Sequence, residues 1–448
     1  MNFFKKIKLS FKEAKYENLY KTEGIAPVSS AIPFGLQHVL AMFIGNIAPV
    51  LIVYSTIGFN NFSNSAIQNS IFIAGIGTII QLFGIGRIGG KLPLVIGMNF
   101  TFVGICISLS VSYGFGAMLG AVIIGGLITG VVGLFAKYWR KFIPSIVSAI
   151  VVLAVGLSLL DVGATYFAGI NQDSLYTSSQ AFLIGGITLV SYLAANIFLK
   201  GFWKNIAMLL ALAIGYILSL CLGVVDFSAL STIEKVISLP EIVDLGIIEF
   251  NPLAIISATI VYLVTTTGFI GDTTALCNSA MNREPTDKEI SGVISCNGFM
   301  GAISGLFGCL PLVTYAQNVA IVGTTKVVNR TPIFLGTIFL ILAGLFPHLA
   351  GAVRTIPDCV FGGVIIPLFA SICVVGIKMV GDCGFNARNN LILGLSLGIG
   401  FGFSLVSDSI FANAPELIQI LGSNCVAMMF IVAMVLSLVL PKRMEKEI

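Results

Sequence analysis

Apolar residues along this chain neither alternate with polar ones nor keep to one side of a helical wheel. They run in blocks of about 20 residues separated by short polar or Gly/Pro-containing gaps, the length a helix needs to cross a hydrocarbon core. The blocks predict fourteen transmembrane segments. The first half gives 30–54, 67–85, 93–110, 113–136, 144–162, 180–199 and 205–225. The second half gives 252–274, 290–309, 311–328, 331–352, 357–377, 389–410 and 418–440.

The tenth segment is unlike the others. LPLVTYAQNVAIVGTTKVVNR, residues 310–330, places Pro311 at its start and the amide pair Gln317-Asn318 at its centre, and it ends in Gly323, Thr324, Thr325, Lys326 and Arg330. It is too short and too polar for a plain span. Backbone that is not fully helical survives at membrane depth only where it is buried in protein or lines a cavity. An interrupted segment with side-chain amides fits a solute-binding half-helix. A polar contact between helices explains the same residues equally well.

Composition settles the class. Hydrophobic residues make up 57% of the 448 positions and charged residues 10%, against about 25% in soluble proteins; the mean hydropathy is +1.01. This is a polytopic membrane protein without room for a sizeable soluble domain. The net charge is only +4, and its placement is what matters. Residues 1–29 form a lead-in with six lysines and no apolar core, unlike a cleaved signal. With the N-terminus inside, 22 of the 24 Lys and Arg residues fall at cytosolic ends, leaving Lys235 and Arg354 outside. The positive-inside rule then expects both termini in the cytosol and a multi-pass protein of the plasma (inner) membrane, ending in a tail at 441–448. Nine cysteines are scattered without a CxxC pair, so neither disulfides, metal nor cofactor is expected.

The halves repeat. Leu92-Pro93-Leu94-Val95, followed by Asn99, is echoed by Leu310-Pro311-Leu312-Val313, followed by Asn318, at an offset of 218. Ile143-Pro144 and Ile356-Pro357 open the fifth and twelfth segments at an offset of 213. Seven is odd, so two seven-segment halves lie inverted in the membrane. The short third and tenth segments then meet near the midplane, where inverted repeats place a substrate.

Few polar groups remain inside the apolar blocks. His38, beside Gln37 in the first segment, reads first as a satisfied buried donor. Asp272 is the one carboxylate well inside the second-half segments; intramembrane acids default to ion or proton pathways, although a partner such as Lys326 would make it structural. Asn297 is placed to bond either Asp272 or a ligand. Asp161 and Asp408 fall at outer helix ends, where solvation accounts for them. Gly120, Gly125, Gly126, Gly130 and Gly133 are explained by close helix packing.

Five stretches together resemble the nucleobase–ascorbate transporters, the second nucleobase:cation symporter family, over nearly the whole chain. They are GLQHVLAMF at 35–43, LPLVIGMNFTFVG at 92–104, GDTTAL at 271–276, LPLVTYAQNVAIVGTTK at 310–326 and IPDCVFGG at 356–363. The resemblance implies an all-α protein of two inverted repeats. A core domain would comprise segments 1–4 (30–136) and 8–11 (252–352), and a gate domain segments 5–7 (144–225) and 12–14 (357–440). Members import uracil, xanthine, urate or other purines with protons or sodium, and are often homodimers. By the same resemblance Gln317 hydrogen-bonds the base, Asn318 supports it, Phe100 stacks on the ring and Gly45 lines the pocket. His38 shapes the site, and Thr325 and Lys326 tune selectivity. Glutamine at 317, where uracil carriers tend to have glutamate, points to an oxidised purine.

Three positions depart from the family pattern. A glutamate tied to substrate and coupling is replaced by Gly268, an acidic position in the ninth segment by Asn297, and the signature glycine by Ala320. Asp272 is then the nearby acid left to carry a proton. Proton symport of xanthine or urate is the leading expectation; a sodium-coupled or uncoupled carrier of uracil or another nucleobase, or an anion carrier on the same fold, is the rival. A membrane enzyme is disfavoured by two histidines and the lack of a nucleophile–base constellation, and a sensor by the lack of an output domain. No nucleic acid is expected as a partner; the bilayer is. Cysteine-accessibility labelling should find 163–178 and 226–248 exposed outside and both termini inside; an external terminus overturns this topology.

Overall fold

The structure is a computed structural model that describes residues 15–140, 144–170, 176–231, 233, 235–441 and 444. The first four N-terminal lysines, Lys141, Ile143, Lys442, Arg443, Lys446 and the side chain of Asp408 lie outside the described residues.

Fourteen helical segments follow one another as the apolar blocks predict. The first half comprises α1 (Val28–Thr56), α2 (Asn60–Phe83), α3 (Phe100–Tyr113), α4 (Phe115–Leu134), α5 (Ser145–Ala168), α6 (Ser178–Phe198) and α7 (Ala207–Cys221). The second half begins with α8 (Pro252–Met281), α9 (Asp287–Leu306) and α10 (Ala316–Thr325). Next come α11, bent by 82° between Arg330–Ala343 and Pro347–Arg354, and α12 (Asp358–Cys383). In α13, Ala387–Leu395 runs on through a π-helical Ser396–Phe401 into Gly402–Leu405. Last is α14, bent by 96° between Glu416–Ser423 and Cys425–Val439.

Among the described residues, two paired strands interrupt the all-α pattern. β1 (Ile96–Met98) precedes α3, and β2 (Leu312–Thr314) precedes α10; they pair antiparallel, Ile96 opposite Thr314 and Met98 opposite Leu312. Extended backbone in the interior must pair its N–H and C=O groups within the protein. The strands pair with each other on one edge, and on the other Thr78 of α2 exchanges bonds with Ile96 at 3.1 Å. The third and tenth segments are thus a strand followed by a short helix.

Other boundaries moved for local reasons. The eleventh segment breaks because Pro347 forces Phe346 out of the helical region, at φ −103° and ψ 97°. The second begins earlier than expected and the fifth continues to Ala168. Helix starts carry sequence-encoded caps. Asn251 accepts from the N–H groups of Leu253 and Ala254 with Pro252 at the first position. Thr286 and Glu289 form a capping box on α9, and Arg283 grips the same Glu289 carboxylate at 2.6 and 2.9 Å.

The glycines do what their pattern implies. A Cβ on Gly126 would stand 2.5 Å from the Ala302 nitrogen, and one on Gly298 would stand 2.2 Å from the Gly130 nitrogen, so α4 and α9 touch backbone to backbone. Elsewhere α1 meets α11 at Gly35 and Gly336, and α12 meets α5 at Gly376 and Leu153. Polar and ring contacts join these groups. The Ser55 and Tyr166 hydroxyls lie 2.8 Å apart, and the Tyr113 hydroxyl donates to Glu416 at 3.2 Å.

Candidate functional site

The strand pair brings the first turns of α3 and α10 together inside the molecule. First-turn N–H groups of a helix lack intrahelical partners and present a positive dipole end. The chain ties this crossing down with side chains. Asn46 on α1 accepts the Met98 N–H at 2.8 Å, and the Tyr315 N–H donates to the Val95 carbonyl at 3.1 Å. The Tyr315 hydroxyl donates to the Met98 carbonyl. Gly45 lies beside that ring, where a Cβ would be 3.0 Å from a ring carbon. Asn46, Thr314 and Tyr315 were not singled out from sequence. The two on β2 and its end stand in the conspicuous 310–330 stretch, but nothing in spacing assigns their partners.

Successive residues on a helix point about 100° apart, and the amide pair divides accordingly. Asn318 is buried, and its Nδ2 donates to both the Nδ1 and the backbone carbonyl of His38, each at 3.0 Å. His38 is buried with it and fixes the start of α10 to α1. Gln317 is half-buried and makes no hydrogen bond to another described residue. It lines a cavity of about 240 Å³ with Tyr192 and Asn196 of α6, Met208 of α7 and Thr324 of α10.

Asp272 accepts a hydrogen bond from the Thr314 hydroxyl, so α8 is linked to β2. Lys326 is not its partner. That residue ends α10 in a left-handed conformation, φ 58°, and its ammonium donates to the Ser279 carbonyl. One turn before Asp272, a Cβ built on Gly268 would meet nothing within 4 Å, so the position where the family pattern has a longer side chain is open space. Asn297 is fully buried and donates to its own helix at Val293, 2.8 Å away. No hydrogen bond joins it to Asp272 among the described residues.

Phe100 is buried and meets Phe369 of α12 edge-on, with centroids 4.8 Å apart and planes at 83°. Its neighbour Thr101 lines a second cavity of about 340 Å³ with Asp161, Ser404 and Asn424. The Asp161 side chain is exposed and accepts the Val162 N–H. A third cavity, about 630 Å³, lies between Tyr113 and Glu416. Thr325 and Lys326 stand about 12 Å along α10 from Gln317 at 1.5 Å per residue. The structure therefore gathers Gln317, Asn318, His38 and Gly45 around the start of α10, with Gly268 and Asp272 on the adjoining face of α8. Asn297, Thr325 and Lys326 lie apart from that group.

Helices long and apolar enough to cross a membrane, two short helices that meet start to start over paired strands, and a cavity faced by Gln317 fit a multi-pass membrane permease. The family match makes the chain a transporter, not an enzyme. The chain belongs to the permease family of nucleobase–ascorbate transporters, whose model matches residues 29–409. It is 31% identical over 444 residues to "Putative purine permease CPE0397" of Clostridium perfringens, covering 98% of this chain and 97% of that one. It is 29% identical to the xanthine permease XanQ of Escherichia coli, with 96% and 95% covered, and to the xanthine permease of Bacillus subtilis, with 91% and 93% covered. Among solved structures, the transmembrane domain of the cyanobacterial bicarbonate transporter BicA matches with a TM-score of 0.55 at 15% identity, covering 90% of this chain and 96% of that one. SLC26A9 matches with 0.59 at 12% identity, covering 96% and 68%. These two share the inverted-repeat fold.

The division of the amide pair is testable. Asn318→Ala strips two bonds from buried His38 and should cost about 1–3 kcal/mol, read as a lower unfolding midpoint of the purified protein. Gln317→Ala should leave that midpoint in place; equal shifts would contradict the division.

Proposed function

We propose that the protein imports an oxidised purine, of the xanthine or urate kind, across the plasma membrane by proton symport. The observation that carries this reading is Gln317, a carboxamide with no hydrogen bond to another described residue, at the first turn of α10 and facing a cavity. Its acceptor oxygen and two N–H donors match the alternating C=O and N–H edge of such a base. The names of the relatives, xanthine permeases among them, support the same substrate class.

In this reading Gln317 bonds the edge of the base while Asn318, held by His38, fixes the helix turn that carries it. Phe100 offers its ring face once it parts from Phe369, and Gly45 sets the seat of Tyr315. The helices α1–α4 and α8–α11 act as a core that moves against a gate of α5–α7 and α12–α14. The contacts Phe100–Phe369, Ser55–Tyr166 and Tyr113–Glu416 are then among those that break and reform. Thr325 and Lys326 affect selectivity through the far end of α10. Gly268 and Asn297 cannot titrate, which leaves Asp272 or His38 for the proton. Asp272, one helical turn from Gly268, is the favoured carrier, and its Thr314 partner connects it to β2 and the start of α10.

The test is uptake of labelled xanthine, urate, hypoxanthine and uracil into proteoliposomes, with and without an imposed pH gradient. Gln317→Ala leaves a substrate donor or acceptor unpaired, at a cost of about 1–3 kcal/mol, or roughly one to two decades of affinity. Unchanged affinity in the folded variant sinks the recognition role.

Asp272→Asn should abolish uphill accumulation driven by the pH gradient while sparing substrate binding. His38→Asn should weaken binding and keep the dependence on the gradient. Accumulation by Asp272→Asn on a pH gradient would remove Asp272 from coupling, and wild-type uptake indifferent to the gradient would make the protein a facilitator or a sodium-coupled carrier.

A further inference from the structure

The cavity that holds Gln317 extends beyond it. Its α10 wall continues through Ala320 and Thr324, and its opposite wall is Tyr192 and Asn196 of α6 together with Lys204 on the short Phe202–Asn205 turn before α7. Ala316, Ala320 and Thr324 are exposed at a spacing of four, so one face of α10, bearing only small side chains, borders open space from the amide outward. Tyr192 supplies an aromatic ring at the edge of that space, and the Asn196 and Asn205 carboxamides supply donors and acceptors. A flat heterocycle fits such a lining.

The charge of the lining is one-sided. Lys204 is exposed, and it is the one lining side chain with a full charge. No salt bridge joins it to an acid among the described residues. The two cavities reached from the Tyr113 and Thr101 side carry the opposite sign, with Glu416 in one, Asp161 in the other and no cation in either lining. An ammonium at the mouth of a cleft favours an anionic ligand there.

We propose that this cavity extends the Gln317 site outward into a binding position for the monoanion of an oxidised purine. The carboxamide of Gln317 stands at one end and the ammonium of Lys204 at the other, on the side where α6 runs into α7. The inference rests on the nucleobase reading above and adds the charge state of the ligand and the place where it is held before release. Lys204 is exposed, so its contribution is modest and screened by salt.

The test uses the full-length protein in nanodiscs, titrated with urate, a monoanion at neutral pH, and with hypoxanthine, which is uncharged. Lys204→Gln should weaken urate about three- to fivefold and leave hypoxanthine within about twofold, while Lys204→Arg keeps both. Added salt should shrink the urate preference of the wild type and not that of Lys204→Gln. Ala320→Leu, which fills the cavity beside an intact Gln317, should weaken both purines. Equal losses of the two purines in Lys204→Gln, unchanged urate binding there, or full binding of both by Ala320→Leu overturn the inference alone. A wild type that binds none of urate, hypoxanthine, xanthine and uracil overturns the nucleobase reading, and the inference falls with it.

Discussion

Two buried strands of three residues each meet inside a molecule otherwise built of helices. An unpaired backbone N–H or C=O costs several kcal/mol in an apolar interior, so neither strand could exist there without the other. Their pairing lets two helices begin inside the protein, which exposes first-turn N–H groups where a whole helix would hide them. The register carries the symmetry of the chain. Ile96 faces Thr314, and 314 − 96 = 218 is the offset of the repeated Leu-Pro-Leu-Val. The pseudo-twofold between the halves therefore passes through that residue pair.

Everything near the crossing is arranged to hold it. Asn46 takes the Met98 N–H, Tyr315 bonds Met98 and Val95, Thr314 bonds Asp272, and Asn318 bonds His38. The helices α1 and α8 are thus tied to the two strands, and α10 to α1, through buried side chains. Around this centre, α4 and α9 close to backbone contact through Gly126, Gly130 and Gly298. Small residues matter more here than in a soluble core, because lipid competes for apolar side chains and close packing must supply the association.

Much of this was legible. Block length gave the fourteen segments, the repeated tetrapeptide marked the crossing, and the Gly-rich fourth segment announced its packing. The strands themselves were not, since three apolar residues between a proline and a helix start have no period to read. Partners were hidden as well. His38 and Asn318 stand 280 positions apart, and no spacing rule connects them. Asn297 and Asp272 looked alike as polar groups in apolar helices. Yet one turns back on its own helix at Val293 and the other reaches β2, a difference decided by rotation about the helix axis. The bend of α11 was written in Pro347, although the hydropathy of the block concealed it.

The same rotation explains why a single dipeptide can both fasten two helices and line a cavity. On α10 the buried side carries Asn318, Ile321 and Val322, and the open side carries Ala316, Gln317, Ala320 and Thr324. On the buried side the Asn318 N–H groups have fixed partners in His38, since a buried donor without one is costly. The open side can change partners at little cost, since Gln317 has no hydrogen bond to another described residue to give up. A helix of only ten residues can present both faces without bending, and its start is held by the strand before it. The stiffness of the crossing holds Gln317, which bonds no other described residue, at a fixed place on the cavity wall.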